Sequence, residues 1–140
     1  RTAAYIKSDN PEEKKFGTLS QGFLPDDYRG HRIRFSADVK SIDVKNWAGM
    51  WLRVDYNKKA VAFDNMQNRP IKGTKDWHSL SIVLDVPMDS DYIAMGLLMT
   101  GHGQVYWDKL KIEKVGKDVP ITDMFSSSRQ KAPVNLNFEN

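Results

Sequence analysis

The sequence predicts an all-β protein, folded as an antiparallel β-sandwich or jelly roll. The clearest evidence is the segment Ser79–Val86, in which apolar residues at 80, 82, 84 and 86 alternate with Ser79, Ser81, Val83 and Asp85. A period of two marks a strand with one covered face. Similar segments recur every 10 to 15 residues or so, with turn residues between them and no long helical pattern, which is typical of a sandwich.

Nine segments are predicted as strands. In chain order they are Ala3–Ser8, Phe16–Phe23, Arg32–Lys40, Trp47–Asp55, Val61–Met66, Ser79–Val86, Tyr92–Met99, Gln104–Val115 and Pro133–Glu139. The first is short, and the second is rich in Gly, Ser and Thr. The third and fourth alternate strictly, and the Asn57-Lys58-Lys59 turn separates the fourth from the fifth.

Turn residues also separate the later strands. Pro87-Met88-Asp89 precedes the seventh strand and Gly101-His102-Gly103 precedes the eighth. The alternation predicts which side chains lie between the two sheets: Ile33, Phe35, Met50, Leu52, Ile82, Leu84, Met95 and Leu97.

The chain has 140 residues, enough for one domain with one core. Residues 1–119 are predicted as the sandwich, and residues 120–132, which contain Pro and a Ser run, as a linker. Residues 133–140 form a terminal strand that completes the sandwich, in cis or by exchange between chains, or else begin a second repeat. Exchange would make a strand-exchanged homo-oligomer.

Composition excludes several classes of function. The net charge is +3, but Lys and Arg are interspersed with Asp and Glu, so no direct nucleic-acid binding by this chain is predicted. Cysteine is absent, which excludes disulfides and Cys-based metal sites. No apolar run approaches the roughly 20 residues of a membrane-spanning helix. Phosphate loops, nucleophile elbows and HExxH motifs are absent, so no enzyme is predicted.

Four motifs then indicate a family. They are W-A-G-M-W-L-R-V-D (47–55), F-D-N-M-x-x-R-P-I-x-G-T-x-D-W (63–77), V-L-D-V-P (83–87) and V-Y-W-D-x-L-x-I-E (105–113). This combination resembles a domain found C-terminal to AraC-type helix-turn-helix regions in bacterial transcriptional regulators and in related uncharacterised proteins. The resemblance covers residues 1 to 120 or so and implies a galactose-binding-like jelly roll. It implies no shared chemistry, and the chain contains no helix-turn-helix.

The chain differs from that pattern at one point. Members of the family usually begin with a strand of the form NL-x-FE before the segment that matches Thr2–Ser8. Here the corresponding motif, P-V-N-L-N-F-E, stands at residues 133–139 instead. Because the motif stands at the end of the chain and not at its start, residues 133–140 are predicted to supply a strand to the sandwich or to begin a second repeat.

Two groups of residues are candidates for ligand binding. Trp47, Trp51, Arg53 and Asp55 share one face of a strand, where indoles stack on sugar rings and charged groups bind hydroxyls. The alternative is that both indoles pack within the protein. The second group lies in or beside a polar crossing between strands: Asp64, Asn65, Gln67, Asn68 and Arg69, with Asp76 and Trp77. There a structural role is favoured, because turn chemistry or a buried pair between Arg69 and an Asp explains the residues.

Asp108 is a weak candidate for a metal site. Counted with Tyr106, Leu110 and Ile112, it falls on the apolar phase of its strand, and an inward carboxylate must be paired or bound to a cation. Jelly-roll sugar modules often hold a structural calcium, and Glu139 would be a second oxygen ligand. Lys109 opposes a cation, so a hydrogen-bonded Asp108 with no cofactor is the favoured interpretation.

These observations predict a non-catalytic domain that senses a ligand or binds a partner, as part of a cytoplasmic bacterial regulator. The ligand would be a small polar molecule or a sugar. The alternative is a carbohydrate-binding module of a secreted protein.

Overall fold

The computed structural model describes residues 4–8 and 16–125, which form an antiparallel β-sandwich of jelly-roll type. Its seven strands are β1 (Ala4–Ser8), β2 (Phe16–Phe23), β3 (Arg32–Tyr56), β4 (Lys59–Asp64), β5 (Ile71–Asp85), β6 (Tyr92–Thr100) and β7 (Gly103–Val115). The predicted fold class is therefore confirmed. Among the described residues, no helix has the length and apolar character needed to cross a membrane.

The 25-residue strand β3 belongs to both layers of the sandwich. Its first half pairs with β5 and β7, and β1 extends this layer beyond β7. Its second half pairs with β4 and β6, and β2 extends the other layer beyond β6. We call these the first sheet (β1-β7-β3-β5) and the second sheet (β4-β3-β6-β2). The register of β3 with β5 shifts three times between Val39 and Ala48, where bulges let the strand turn from one sheet into the other.

Two predicted strand boundaries were wrong for this reason. Residues 32–40 and 47–55 were predicted as separate strands, but the chain between them continues as β-structure through the bend. Residues 71–78 were predicted as part of a crossing, yet they form the first half of β5 because Ile71, Gly73 and Lys75 pair with that bend. Bulged pairing destroys the alternation by which strands are recognised.

The core lies between the two sheets. Of the side chains predicted to fill it, Ile33, Phe35, Met50, Leu52, Ile82 and Leu84 are fully buried, Leu97 is buried and only Met95 is partly exposed. Trp107, Val105, Ile93 and Met99 complete the centre.

A bulge in β7 corrects the predicted orientation of Asp108. Between Ser36 and Asp38 of β3, the partner strand carries an extra residue, Lys109, with a φ of 55°. Before the bulge the buried side chain is that of Trp107; after it Leu110 faces inward. Asp108 therefore pairs with Asp38 on the outer side of the first sheet, and the prediction that it lies on the apolar phase was wrong.

Residues 116–125 pack against the free edges of β5 and β4. Thr122 donates its N–H to the carbonyl of Val83 and accepts from the Val83 N–H at its Oγ1, at 2.8 and 3.0 Å. Asp123 accepts the Phe63 N–H, and the rings of Phe63 and Phe125 lie 6.0 Å apart. This closing segment joins the two sheets and includes residues 120–125 of the predicted linker. The rest of that linker and the predicted strand at residues 133–140 lie outside the described residues.

Arg32 anchors the start of the closing segment. Its guanidinium donates to the carbonyls of Lys117 and Val119, each at 2.7 Å, and forms two hydrogen bonds to Asp85. The Arg32 guanidinium, helped by Lys117, lowers the pKa of the Asp85 carboxyl below its ordinary value of 3.8. Asp85 therefore orients the Arg32 guanidinium, which in turn binds the closing segment.

Replacing Asp85 with Asn should therefore produce a stability loss that depends on pH. A carboxyl with a lowered folded-state pKa stabilises the fold above its ordinary pKa, and this contribution is lost as pH falls through the lowered value. The side chain is 42% exposed, so the loss at neutral pH should be only about 1 kcal/mol or less. Thermal unfolding of both proteins across a pH series measures it. A difference in melting temperature that stays constant as pH falls well below 3.8 would contradict this role.

Candidate functional site

An open cavity of about 480 Å³ lies where β3 bends from the first sheet into the second. We call it the bend cavity. Three separate parts of the chain meet there: the bend itself, the crossing from β4 to β5, and the end of β6. Its lining consists of Lys45, Asn46, Trp47, Gln67, Pro70, Lys72 and Thr100.

The turn from β6 to β7 shapes one wall of the bend cavity. Gly101 has a φ of 75°, and a Cβ there would lie 2.7 Å from the side-chain nitrogen of Asn46. Only glycine permits both this backbone conformation and the close approach of Asn46. The backbone carbonyl of the next residue, His102, accepts a hydrogen bond from the Lys45 N–H at 3.0 Å. The turn thereby fixes the backbone that carries Lys45, Asn46 and Trp47.

Electrostatics leave the bend cavity with positive character. Outside its lining, the Asp43 carboxylate lies 2.8 Å from the Lys45 ammonium and 3.2 Å from the His102 ring. Lys45, first, and His102 lower the pKa of Asp43, so this carboxyl stays ionised. Lys72 is exposed, and among the described residues no carboxylate lies within ion-pair distance of it. One ammonium group therefore remains available to a ligand.

The lining of the bend cavity combines an aromatic surface with amide and hydroxyl groups. Trp47 is half-buried and its ring lies against Gly49, which leaves part of an indole facing the cavity. Amide groups come from Asn46 and Gln67, and a hydroxyl from Thr100. An aromatic surface beside amides and hydroxyls suits the ring and hydroxyl groups of a polar ligand. The lining residues include no carboxylate for acid–base chemistry.

The rest of the predicted Trp47 face is separate from the bend cavity. Trp51 is half-buried on the outer side of the second sheet, where a Cβ on Gly96 would lie 2.5 Å from the indole nitrogen. Arg53 donates to Asp55 at 2.8 Å, and Asp55 is buried. Of the four candidates on this face, Trp47 lines the bend cavity, and Trp51, Arg53 and Asp55 do not.

An ion pair between Arg69 and Asp64 holds the β4–β5 crossing in place; the sequence predicted a pair of Arg69 with an Asp but did not identify which one. Asp64 is fully buried, and both of its oxygens accept hydrogen bonds from the Arg69 guanidinium. Asp64 also accepts the Met66 N–H at 2.9 Å, and Arg69 reaches the carbonyl of Ser81 at 3.1 Å. Asp64 and Arg69 therefore hold the crossing that positions Gln67 at the bend cavity.

The remaining candidates lie away from the cavity lining. Asn65 accepts the Gln67 N–H in a local turn, and Trp77 is half-buried in β5. Asp108 is half-buried and accepts the Lys109 N–H, while Glu139 lies outside the described residues. Within the described ranges, no three His, Asp or Glu side chains are placed to hold a metal ion. The calcium hypothesis stays a prediction.

A second, wider concavity of about 780 Å³ covers the outer side of the first sheet. Its floor is polar, with Ser36, Ser79 and Ser81, and its lining includes no aromatic residue. Its charged groups are paired with one another, as in the contact of Arg34 with Glu113 at 3.1 Å. The bend cavity, with an indole and an available ammonium, is the better candidate.

Sequence reasoning found Trp47 and the crossing with Gln67, but it missed Lys45, Asn46, Lys72 and Thr100. The one available signal was the loss of alternation between Ser41 and Asn46, opposite a Gly-His-Gly turn. Binding residues are found disproportionately on irregular segments that a rigid scaffold positions.

Fold and site together define the chain as a jelly-roll β-sandwich domain with a polar cavity at the bend of its shared strand. It matches no known family profile. It is 40% identical over 142 residues to the "Uncharacterized HTH-type transcriptional regulator YbfP" of Bacillus subtilis (strain 168). The match covers 99% of this chain and 48% of that protein, so the chain spans about half the length of the regulator.

Solved structures share the fold at low sequence identity. The enzymatically active domain of tailspike protein 4 from bacteriophage CBA120 aligns with a TM-score of 0.57 and 10% identity, over 79% of this chain and 15% of that one. A CBM4 carbohydrate-binding module aligns with a TM-score of 0.53 and 16% identity, over 82% and 77%. At these identities the similarities show the jelly-roll fold.

Proposed function

We propose that this chain is the non-catalytic ligand-sensing or interaction domain of a cytoplasmic bacterial transcriptional regulator of the AraC type. The observation that carries the proposal is the 40% identity to an HTH-type regulator over nearly the whole chain. The chain's own basic and acidic residues are interspersed, which favours a role other than DNA contact. DNA binding is assigned to the helix-turn-helix part of such a regulator.

The bend cavity is the proposed ligand site, and the proposed ligand is a small polar molecule such as a sugar. Trp47 would stack against a ring, while Asn46, Gln67 and Lys72 would bind hydroxyl or anionic groups. The bend of β3, the strand that belongs to both sheets, and the β4–β5 crossing form the cavity. A ligand there would therefore contact the junction between the two sheets.

Replacing Trp47 with Ala should weaken binding of any monosaccharide that the protein binds by about 10-fold or more, because stacking and apolar contact are lost. Isothermal titration with a panel of neutral and acidic monosaccharides measures this. Trp77→Ala is the matched control, since Trp77 does not line the cavity. Equal losses in both variants would contradict the assignment of the site, and no binding across the panel would favour a protein partner instead.

The regulatory role has its own test in the full-length protein. A fragment of promoter DNA should bind with an affinity that changes when the bound monosaccharide is added. Trp47→Ala should shift this change to a sugar concentration about 10-fold higher or more, without altering DNA affinity in the absence of sugar. DNA affinity that is insensitive to the sugar would contradict a sensing role.

A second candidate is a carbohydrate-binding module of a secreted protein. The similarity to the CBM4 structure, over 77% of that chain, favours it. The two candidates differ in the rest of the gene. An adjoining helix-turn-helix supports the regulator, and an adjoining signal peptide and hydrolase domain support the module.

A further inference from the structure

Within the described residues, another strand covers the outer edge of β7 only along residues 103–107. Strand β1 pairs with residues 103–107, and there Val105 and Trp107 are fully buried. From Leu110 to Val115 the strand pairs with β3 on one side, and within the described residues no strand lies along the other. Leu110 and Ile112 face the core but are only partly buried. The fold therefore leaves a row of edge N–H and C=O groups beside two incompletely covered apolar side chains.

An apolar groove of about 190 Å³ adjoins this edge, between the first sheet and β2. Its lining includes Met95 and Leu110, which are partly buried, and Phe35, which is fully buried beneath them in the core. Leu19 of β2, at the rim, is 46% exposed. The groove also explains why Met95 is the one predicted core residue left partly exposed. A strand added to β7 would place alternate side chains into this groove.

Residues 133–139 have the pattern that such a strand requires. Val134, Leu136 and Phe138 alternate with Asn135, Asn137 and Glu139. Apolar side chains would face the groove while amide and carboxylate groups faced water. At about 3.3 Å per residue, seven residues span roughly 23 Å, enough to cover the six-residue edge from Leu110 to Val115.

The same chain can reach this edge. Thr122 is bonded to Val83, which pairs with Arg34 of β3, which in turn pairs with Glu113 of β7. Strand β7 is thus three strand spacings from Thr122, and a strand added beyond β7 is four, about 19 Å at roughly 4.8 Å each. Residues 126–132 can extend to about 23 Å at 3.3 Å per residue. An intrachain path is long enough without exchange between two molecules.

We propose that residues 133–139 bind their own domain as an additional strand along Leu110–Val115, with Val134, Leu136 and Phe138 filling the groove between β7 and β2. The occupant completes the first sheet and removes its open edge. In this arrangement the chain leaves β7, passes along the edges of β5 and β4 as the closing segment, and returns through the linker to the outer edge of β7.

Disulfide trapping tests the placement directly, because the native chain has no cysteine. Ile112→Cys is combined in turn with Val134→Cys, Leu136→Cys and Phe138→Cys, and in control proteins with Asn135→Cys or Asn137→Cys. Adjacent strands bring facing Cα atoms to about 5 Å, within the range for a disulfide. We expect rapid oxidation to a monomeric crosslinked product in at least one of the three combinations and not in the controls. Failure of all three, or a crosslink that joins two chains, would overturn the proposal.

Stability and hydrogen exchange provide an independent test. Leu136→Asp should lower the melting temperature by about 5 °C or more, whereas Asn135→Asp, with the same charge on the opposite phase, should change it by only about 1–2 °C. Deleting residues 133–140 should speed exchange of those Leu110–Val115 amides that do not bond to β3. Equal melting temperatures in the two Asp variants, or unchanged exchange after the deletion, would show that the groove is not filled by this segment.

Discussion

Replacing Phe35 with Ala is expected to lower the free energy of unfolding by about 3–5 kcal/mol, the range for removing a buried aromatic ring. Phe35 is fully buried in the first half of β3, opposite Ile82 on one neighbour and Ile112 on the other. The ring contacts the core from the strand that both sheets share, so the cavity left behind cannot close by moving one sheet alone. Urea unfolding followed by circular dichroism measures the loss.

Leu24→Ala is the matched control for that measurement. Leu24 is 66% exposed, so its truncation should change the free energy of unfolding by no more than about 0.5 kcal/mol. A Phe35→Ala protein as stable as Leu24→Ala would mean that the ring is not between the sheets, and the assigned core would be wrong.

Replacing Arg69 with Met should cost about 2–4 kcal/mol, because it leaves the fully buried carboxylate of Asp64 without its counter-ion. Methionine keeps most of the apolar stem, so the loss reports on the charge rather than on packing. The value lies below the full cost of breaking a buried pair, since the Arg69 side chain is 33% exposed. Arg34→Met is the control: its pair with Glu113 is about one-third exposed on each side and should be worth about 1 kcal/mol or less.

A double variant separates the charge effect from damage to the crossing. Asn at position 64 keeps an oxygen that accepts the Met66 N–H but has no charge to bury. Arg69→Met combined with Asp64→Asn should therefore recover part of the stability lost by Arg69→Met alone. If the double variant is less stable than the single one by the full cost of Asp64→Asn, the two side chains are not coupled.

These effects also bear on the proposed site. The Asp64–Arg69 pair holds the crossing that carries Gln67, and the bend cavity depends on the position of that crossing. Any Arg69→Met protein that folds should therefore bind ligands at the bend cavity more weakly than the native protein, even though Arg69 itself is not part of the lining.

Regular strands could be predicted closely from the sequence. Strand β2 matches its predicted bounds, and β6 and β7 each differ from prediction by one residue at one end. Alternation is a local property: each residue's neighbours two positions away report which face is covered. The core prediction succeeded for the same reason, with Met95 alone left partly exposed at the groove.

Irregular backbone could not be predicted in this way. Asp43 and Lys109 adopt φ angles of 54° and 55°, and each stands where the register of a pair shifts. Asp is enriched at positive φ but adopts it in many contexts, and Lys gives no such signal. Each bulge is stabilised by the strand pairing on either side of it, which the local sequence does not show. The sequence therefore predicts the wrong phase for Asp108, and it predicts two strands where β3 is continuous.

The class of fold, the alternating faces that build the core, and the presence of an indole and a polar crossing follow from the sequence alone. Which of these residues meet depends on the tertiary structure. Trp47, Gln67 and Thr100 come from three distant parts of the chain, whereas Trp51, four residues from Trp47 on the same ladder with β6, does not line the cavity. Local pattern fixes which way a side chain points, whereas a cavity depends on contacts between segments far apart in sequence, which periodicity does not encode.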